Sequence, residues 1–299
     1  MTGRRRLAVR SSLKGFLFDL DGTLLLSDRS LSGYEVLPGA REVLAALIEQ
    51  STPFVVFTNG SAYPPAEQAA RLRTLGLPVS DEQMLTPSVV AAELMCQAAV
   101  ARALVLGSRG VGHALAVAGI TTVYADEPHA SDVNAVYVGW HPECRMKDIE
   151  AACQAIWAGA KLYVASDVPF FATKQGRQMG YSHAIVGAIR RMTKAPFILT
   201  GKPSLHALRF AARRLRVPVA QLAVVGDDPV VEVLMARRGG ATAFGVTTGV
   251  TALQDWKRQT GNRRPHHVLK DIRGLLSGEV LAGGGARRSA QCAFIGPAQ

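Results

Sequence analysis

The sequence contains no C-x-x-C pair. Its four cysteines, Cys96, Cys144, Cys153 and Cys292, show neither zinc-ligand spacing nor a disulfide framework. They read as reduced, mostly structural thiols. Apolar runs approaching the ~20 residues that span a bilayer are also missing. The basic N-terminus, MTGRRRLAVRSSLKG, is followed by no signal-peptide apolar core. These absences make a cytoplasmic protein with no membrane role the expectation. Aromatic and basic residues do not interleave as a nucleic-acid platform requires. The net charge of +11 therefore stands alone as a nucleic-acid signal, and such a partner is not expected. Part of that charge sits in the terminal arginines, Arg4 to Arg6, Arg10, Arg287 and Arg288. Another part, Arg209, Arg213, Arg214 and Arg216, reads as the solvated face of a helix that buries Leu205, Leu208 and Leu215. The seven histidines form no ligand pattern, and His266 with His267 reads as a loop pair. There is no repeat at solenoid periods.

Apolar side chains are plentiful, at 48% of the chain, and charged ones reach 19%. That balance supports a large core and argues against a mainly disordered chain. The segments GFLFDL and TPFVVFTNG read as strands buried on both faces. PGAREVLAALIEQ and PPAEQAARLRTLGL between and after them read as helices. Strand, helix, strand, helix implies a parallel sheet with helices on its faces. A second set of such segments fills the middle of the chain, with ARALVLG, NAVYVGW and KLYVAS as strands and KDIEAACQAIWAGA and GYSHAIVGAIRRMT as helices. PFILTGKPS and LAVVGDD then resume the first pattern. The expected architecture is α/β: a doubly wound, Rossmann-like parallel-sheet core with an α/β unit inserted. The core is expected over 14–83 and 195–282 and the insert over 84–194. A flexible basic arm is expected over 1–13, and a flexible glycine-rich tail over 283–299.

Polar clusters close four of the apolar strands: Asp19 and Asp21, Thr58 and Asn59, Lys202, and Asp227 with Asp228. In an open parallel sheet ligands collect beyond the carboxyl ends of the strands. Asp19 and Asp227 supply oxygen ligands suited to Mg²⁺. Without a cation such carboxylates repel one another. Lys202 is a compact cation able to hold a phosphoryl oxygen. Thr58 and the amides near Asn59 and Gly60 can donate to phosphate, and Gly22 allows close backbone approach. Metal, donors and an aligned nucleophile are what phosphoryl transfer requires.

In order, DLDGT, FTNGS, GKPS and VVGDD resemble the four motifs of the haloacid dehalogenase superfamily of phosphatases. The middle unit resembles the large α/β cap of its NagD and p-nitrophenyl phosphatase branch. The likeness covers residues 14 to 280. It implies Mg-dependent hydrolysis of a small phosphorylated metabolite, with Asp19 as nucleophile and Asp21 as general acid and base. It further implies that Thr58, Asn59, Gly60 and Lys202 hold the phosphoryl group, and that Asp19, Asp21 and Asp227 hold Mg²⁺. Asp228 would support them, and caps of this type often pair into homodimers. Two departures stand out. Glu232 occupies a position where the family usually has aspartate; it reads either as a support for the metal or as a helix-surface acid. The cap segment Ala165-Ser166-Asp167-Val168-Pro169 differs from the usual ATNPD. Ser166 and Asp167 are the cap's candidate substrate contacts, and Phe170 and Phe171 a candidate apolar wall. His183, in a cap helix, is a lesser candidate. The alternatives are a phosphotransferase or mutase of the same fold, and a weakly active relative that binds a phosphorylated ligand or partner.

Overall fold

A computed structural model describes residues 13–28, 33–128, 130, 132–173 and 176–277. The arm expected over 1–13, except its last residue, and the tail over 283–299 lie outside the described residues, as does Cys292.

Six strands, all parallel, form the first sheet. Their spatial order is His267–Leu269, Thr242–Val246, Leu222–Gly226, Gly15–Phe18, Phe54–Phe57, Met84–Leu85. Numbered along the chain this is 6-5-4-1-2-3, a doubly wound arrangement that reverses direction between the first and fourth strands. Alternation explains why both faces are apolar. Phe16, Phe18, Phe54, Val56 and Val225 pack on one side against Val43, Leu44 and Leu47 of the helix Ala40–Glu49. Leu17, Val55, Phe57, Leu222 and Val224 pack on the other against Ala207, Leu208 and Ala211 of the helix Leu205–Leu215. Successive side chains point to opposite faces, so a strand covered on both sides shows no polar alternation.

Five more parallel strands form a second sheet, ordered Phe197–Leu199, Lys161–Val164, Ala135–Val138, Arg102–Leu106, Thr121–Val123. This is the inserted unit, and it too is covered on both faces. Leu104, Val136 and Leu162 meet the helices Met146–Trp157 and Tyr181–Thr193. Val105, Tyr137 and Tyr163 meet Ala91 and Met95 of Pro87–Gln97, and Leu115 of Arg109–Val117.

The two sheets divide the chain differently from the expected 84 and 195. Met84–Leu85 pairs with the core strand Phe54–Phe57, and Phe197–Leu199 pairs with the cap strand Lys161–Val164. Short apolar strands look alike to either parallel sheet, so their sequence does not say which one they join. Two antiparallel hairpins add to the expected elements: Leu25–Ser27 with Tyr34–Val36, and Phe170–Thr173 with Gly176–Met179. His267 is not in a loop: it opens the edge strand His267–Leu269 and stacks on Phe244 at 4.7 Å. Among the described residues no helix is long and apolar enough to cross a membrane.

Candidate active site

Asp19 directly follows the first core strand and Asp227 the fourth, so both stand where the winding of the sheet reverses. Thr58 follows the second strand. Lys202 arrives from the cap: it lies three residues past Phe197–Leu199, on the segment returning to the core. Asn59 fixes that return. Its Nδ2 donates to the Lys202 carbonyl at 2.9 Å, and its Oδ1 accepts from the Lys202 amide at 2.8 Å.

Charge is concentrated and dry here. Lys202 is 1% exposed, Glu232 2%, Asp227 4% and Asp19 7%. The Lys202 ammonium pairs with Asp19 Oδ1, and with Glu232 Oε1 at 2.8 Å. Burial by itself would lower this lysine, but Asp19 and Glu232 outweigh it and hold the ammonium above its ordinary range. Thr23 Oγ1 donates to the other Asp19 oxygen at 3.2 Å. Ser27 Oγ donates to Asp21 Oδ1 at 2.6 Å. Burial pushes the Asp21 carboxyl up to about 6; Ser27 opposes the shift and Asp19 adds to it. Asp227 lies well above the usual carboxylate range because it is buried and faces the charges of Asp19 and Glu232; the Val250 amide, 2.7 Å from Oδ2, offsets this in part.

Glycines make this crowding feasible. A Cβ on Gly249 would stand 1.8 Å from Asp227 Oδ2, and one on Gly226 2.2 Å from Glu232 Cγ. The second value explains how the longer acid is accommodated. The Glu232 methylenes lie against the bare backbone of Gly226, inside the π-helical turn Pro229–Val233. Such turns recur at functional sites because they re-aim side chains. Glu232 is therefore not a helix-surface acid. Asp228 caps the same turn, its Oδ1 accepting from the Val230 amide at 2.7 Å.

These groups line a cavity of about 130 Å³, with Asp19, Asp21, Thr58, Asn59, Gly60, Lys202, Asp227, Asp228 and Glu232 on its core side. Ser166 lines it from the cap; Asp167 does not. The Asp167 carboxylate turns to His183 Nδ1, 2.8 Å away, and that partly exposed pair uses up both candidates outside the cavity. Residues not singled out from sequence also take part. Thr23 lies within DLDGT and was legible there. Ser27 and the Val250 amide carry no local signal. Trp140 follows a cap strand, so the strand-end rule applied to the core would have found it. Away from this cavity, His141, Cys144 and Asp148 bring ligand-type atoms within 4.8 Å of one another. The Asp148 oxygens there are already taken by the Arg145 amide and guanidinium.

The described carboxylates around the cavity are Asp19, Asp21, Asp227, Asp228 and Glu232, and Lys202 is the cation facing them. Buried carboxylates this close repel one another, which favours either protonation or a counter-cation, and an all-oxygen donor set suits a hard divalent ion.

Comparison with known proteins agrees with this geometry. Residues 16–121 match the family described as haloacid dehalogenase-like hydrolase, and residues 199–275 match the HAD-hydrolase-like family. Mouse chronophin is 27% identical over 282 residues, which are 90% of this chain and 94% of chronophin. The crystal structure of a glycerol phosphate phosphatase from Mycobacterium tuberculosis, in complex with calcium, is 27% identical. It superposes with a TM-score of 0.76 over 88% of this chain and 74% of that one. A 4-nitrophenylphosphatase from Thermotoga maritima is 25% identical, with a TM-score of 0.78 over 89% of this chain and 97% of that one. With both halves of the core matched and the capped architecture shared, the chain belongs to the haloacid dehalogenase-like hydrolases, as a phosphatase of the NagD and p-nitrophenyl phosphatase branch.

Proposed function

We propose that this phosphatase hydrolyses small-molecule phosphate monoesters in a Mg²⁺-dependent reaction, with the phosphoryl group carried transiently on Asp19. The observation that carries the reading is the convergence on one cavity of Asp19, held by Lys202 and Thr23, with Asp21, Thr58 and Asp227. Asp19, Asp227 and the main-chain carbonyl of Asp21 would hold the cation. When bound, it offsets the charge of the carboxylates and of the phosphate oxygens.

The chain's own residues divide the work. An Asp19 carboxylate oxygen forms the new bond to phosphorus while the bond from phosphorus to the leaving oxygen breaks. Asp21 gives its proton to that oxygen; a carboxyl raised to about 6 keeps a protonated fraction nearer neutrality than an ordinary aspartate does, which suits an acid that must next act as base. Water then attacks phosphorus, Asp21 takes a water proton, and the bond to Asp19 breaks. Inorganic phosphate leaves and Asp19 is restored. Lys202 pairs with Asp19 and Glu232 and has one N–H left to offer a phosphoryl oxygen. Thr58 Oγ1 already accepts from the Gly60 amide at 2.9 Å, so its hydroxyl proton is left to donate to phosphate. The cap encloses the cavity and limits access by water.

The test is turnover of a panel of phosphate esters with Mg²⁺ and with chelator, beside Asp19→Asn. Borohydride added during turnover should convert Asp19 to homoserine, read from the peptide mass. Turnover that survives in Asp19→Asn, with no modified peptide, overturns the proposal.

A further inference from the structure

The cavity has two unlike ends. Its charged groups, Asp19, Asp21, Lys202, Asp227, Asp228 and Glu232, all belong to the phosphate end. The described side chains that the cap contributes carry no charge. They are chiefly aromatic, Trp140, Phe170, Phe171 and Tyr181, with Ser166 and Ser182 as the hydroxyls. Three separate elements supply these rings: the end of the strand Ala135–Val138, the hairpin strand Phe170–Thr173, and the start of the helix Tyr181–Thr193. They pack edge to face. The Trp140 centroid is 4.7 Å from Tyr181 at an interplanar angle of 83°, and 5.8 Å from Phe171 at 61°. Aromatic rings favour that arrangement, and it orients the cluster. The cluster is also tied to the chemistry. The Trp140 amide donates to Ser61 Oγ at 2.9 Å, on the loop that carries Thr58 and Asn59. Among the described residues, the cap cation Arg177 is outside the lining, with its guanidinium 4.2 Å over the Phe170 ring.

Resting on the phosphatase reading above, we propose that the preferred substrate is the phosphate monoester of an uncharged aromatic or comparably flat apolar group, held by Trp140, Phe171 and Tyr181. A leaving group rich in hydroxyls would give up water against these rings, with Ser166 and Ser182 as the described cap side-chain hydroxyls to replace it. A carboxylate or second phosphate on the leaving group would face the aromatic end, where the described cap lining offers no cation to meet it. A flat apolar group loses nothing there and stacks. The cap thus selects against the sugar-like and doubly charged esters that a bare phosphate site would accept equally.

Benzyl phosphate, glycerol 3-phosphate and glucose 6-phosphate test this fairly, because all three are alkyl esters and the intrinsic leaving-group advantage of an aryl ester is absent. With Mg²⁺ present, kcat/KM for benzyl phosphate should exceed that of the other two by about tenfold or more. Trp140→Ala should reduce the ratio of benzyl phosphate to glycerol 3-phosphate severalfold, mainly through KM, and Trp140→Phe should restore most of it. A wild-type preference for either polar ester overturns the proposal even if Trp140→Ala fails to fold. An unchanged ratio in folded Trp140→Ala also overturns it. Hydrolysis of none of the three, nor of acetyl phosphate, removes the phosphatase reading beneath it, a result distinct from hydrolysis without preference.

Discussion

Lys202 is buried almost completely, and a buried ammonium is sustained only by partners. Asp19 and Glu232 fill that role, and Glu232 sets how firmly the ammonium is aimed at Asp19. Glu232→Gln keeps shape but removes charge, leaving Asp19 as the remaining anionic partner of Lys202. The lysine would then draw Asp19 more tightly and weaken it in its proposed role as nucleophile. Glu232→Asp shortens the tether by one methylene and leaves a gap against Gly226. Misplacement on this scale costs on the order of 10²-fold in rate. Both variants should lose about 10- to 100-fold in kcat, measured with saturating ester and Mg²⁺. Full activity in Glu232→Gln would make the pair structural only. Asp21 carries a second prediction. Its acid form is depleted as pH rises through about 6. The kcat for alkyl esters, whose leaving oxygen needs a proton, should therefore fall on that limb. Aryl esters with good leaving groups should fall less. Equal pH profiles for the two classes would count against Asp21 as the acid.

At the scale of elements, the cap helix Met146–Trp157 shows how a single acid sets a boundary. Asp148 Oδ2 accepts from the Arg145 amide at 2.7 Å, and its other oxygen takes the Arg145 guanidinium at 3.0 Å. Burial would raise this carboxyl, but the Arg145 hydrogen bonds outweigh it and hold it below the usual range. A depressed acid stabilises the fold above its ordinary value and loses that effect as pH falls through the folded one, so the contribution is complete at neutrality. Asp148→Ala should cost about 1–2 kcal/mol in urea denaturation at neutral pH. The difference should shrink in strong acid. The core strands and their polar ends were readable because each pairs a long apolar run with an abrupt polar group, as in FLFDLD and LAVVGDD. Three-residue strands such as Leu25–Ser27 and Tyr34–Val36 have no such contrast. Phe197–Leu199 has it, but its sequence does not name its neighbour. The Lys202 to Asp19 pair joins positions 183 residues apart, and Asp167 turns away to His183 through loop geometry alone. Local pattern brings out residues bearing chemistry; only packing decides which of them meet.

Across the whole molecule, the fold concentrates acids at the point where its sheet reverses, and on the proposed function this would make stability depend on a divalent cation. Asp21 and Asp227 have folded values above the ordinary 3.8, so the folded chain holds protons more tightly than the unfolded one. Without metal, their contribution to stability is fully present below that ordinary value. It is lost as pH rises through about 6 for Asp21 and higher for Asp227. The metal-free protein should therefore melt at a lower temperature near pH 8 than near pH 5. Asp148 has the opposite sign, but its effect is already complete within that range. A cation that binds only the folded chain adds about 2.7 kcal/mol at a concentration 100-fold above its Kd. In a protein of 299 residues that is a rise of roughly 4 °C. Mg²⁺ should also flatten the fall with pH, because it favours the charged carboxylates. Asp227→Asn removes both the repulsion and a proposed ligand. In chelator near pH 8 this variant should melt above the wild type, and Mg²⁺ should shift it little. The opposite order, with Asp227→Asn less stable than wild type in chelator, would mean that the carboxylate cluster is already compensated within the protein and that its charge is not what calls for a cation.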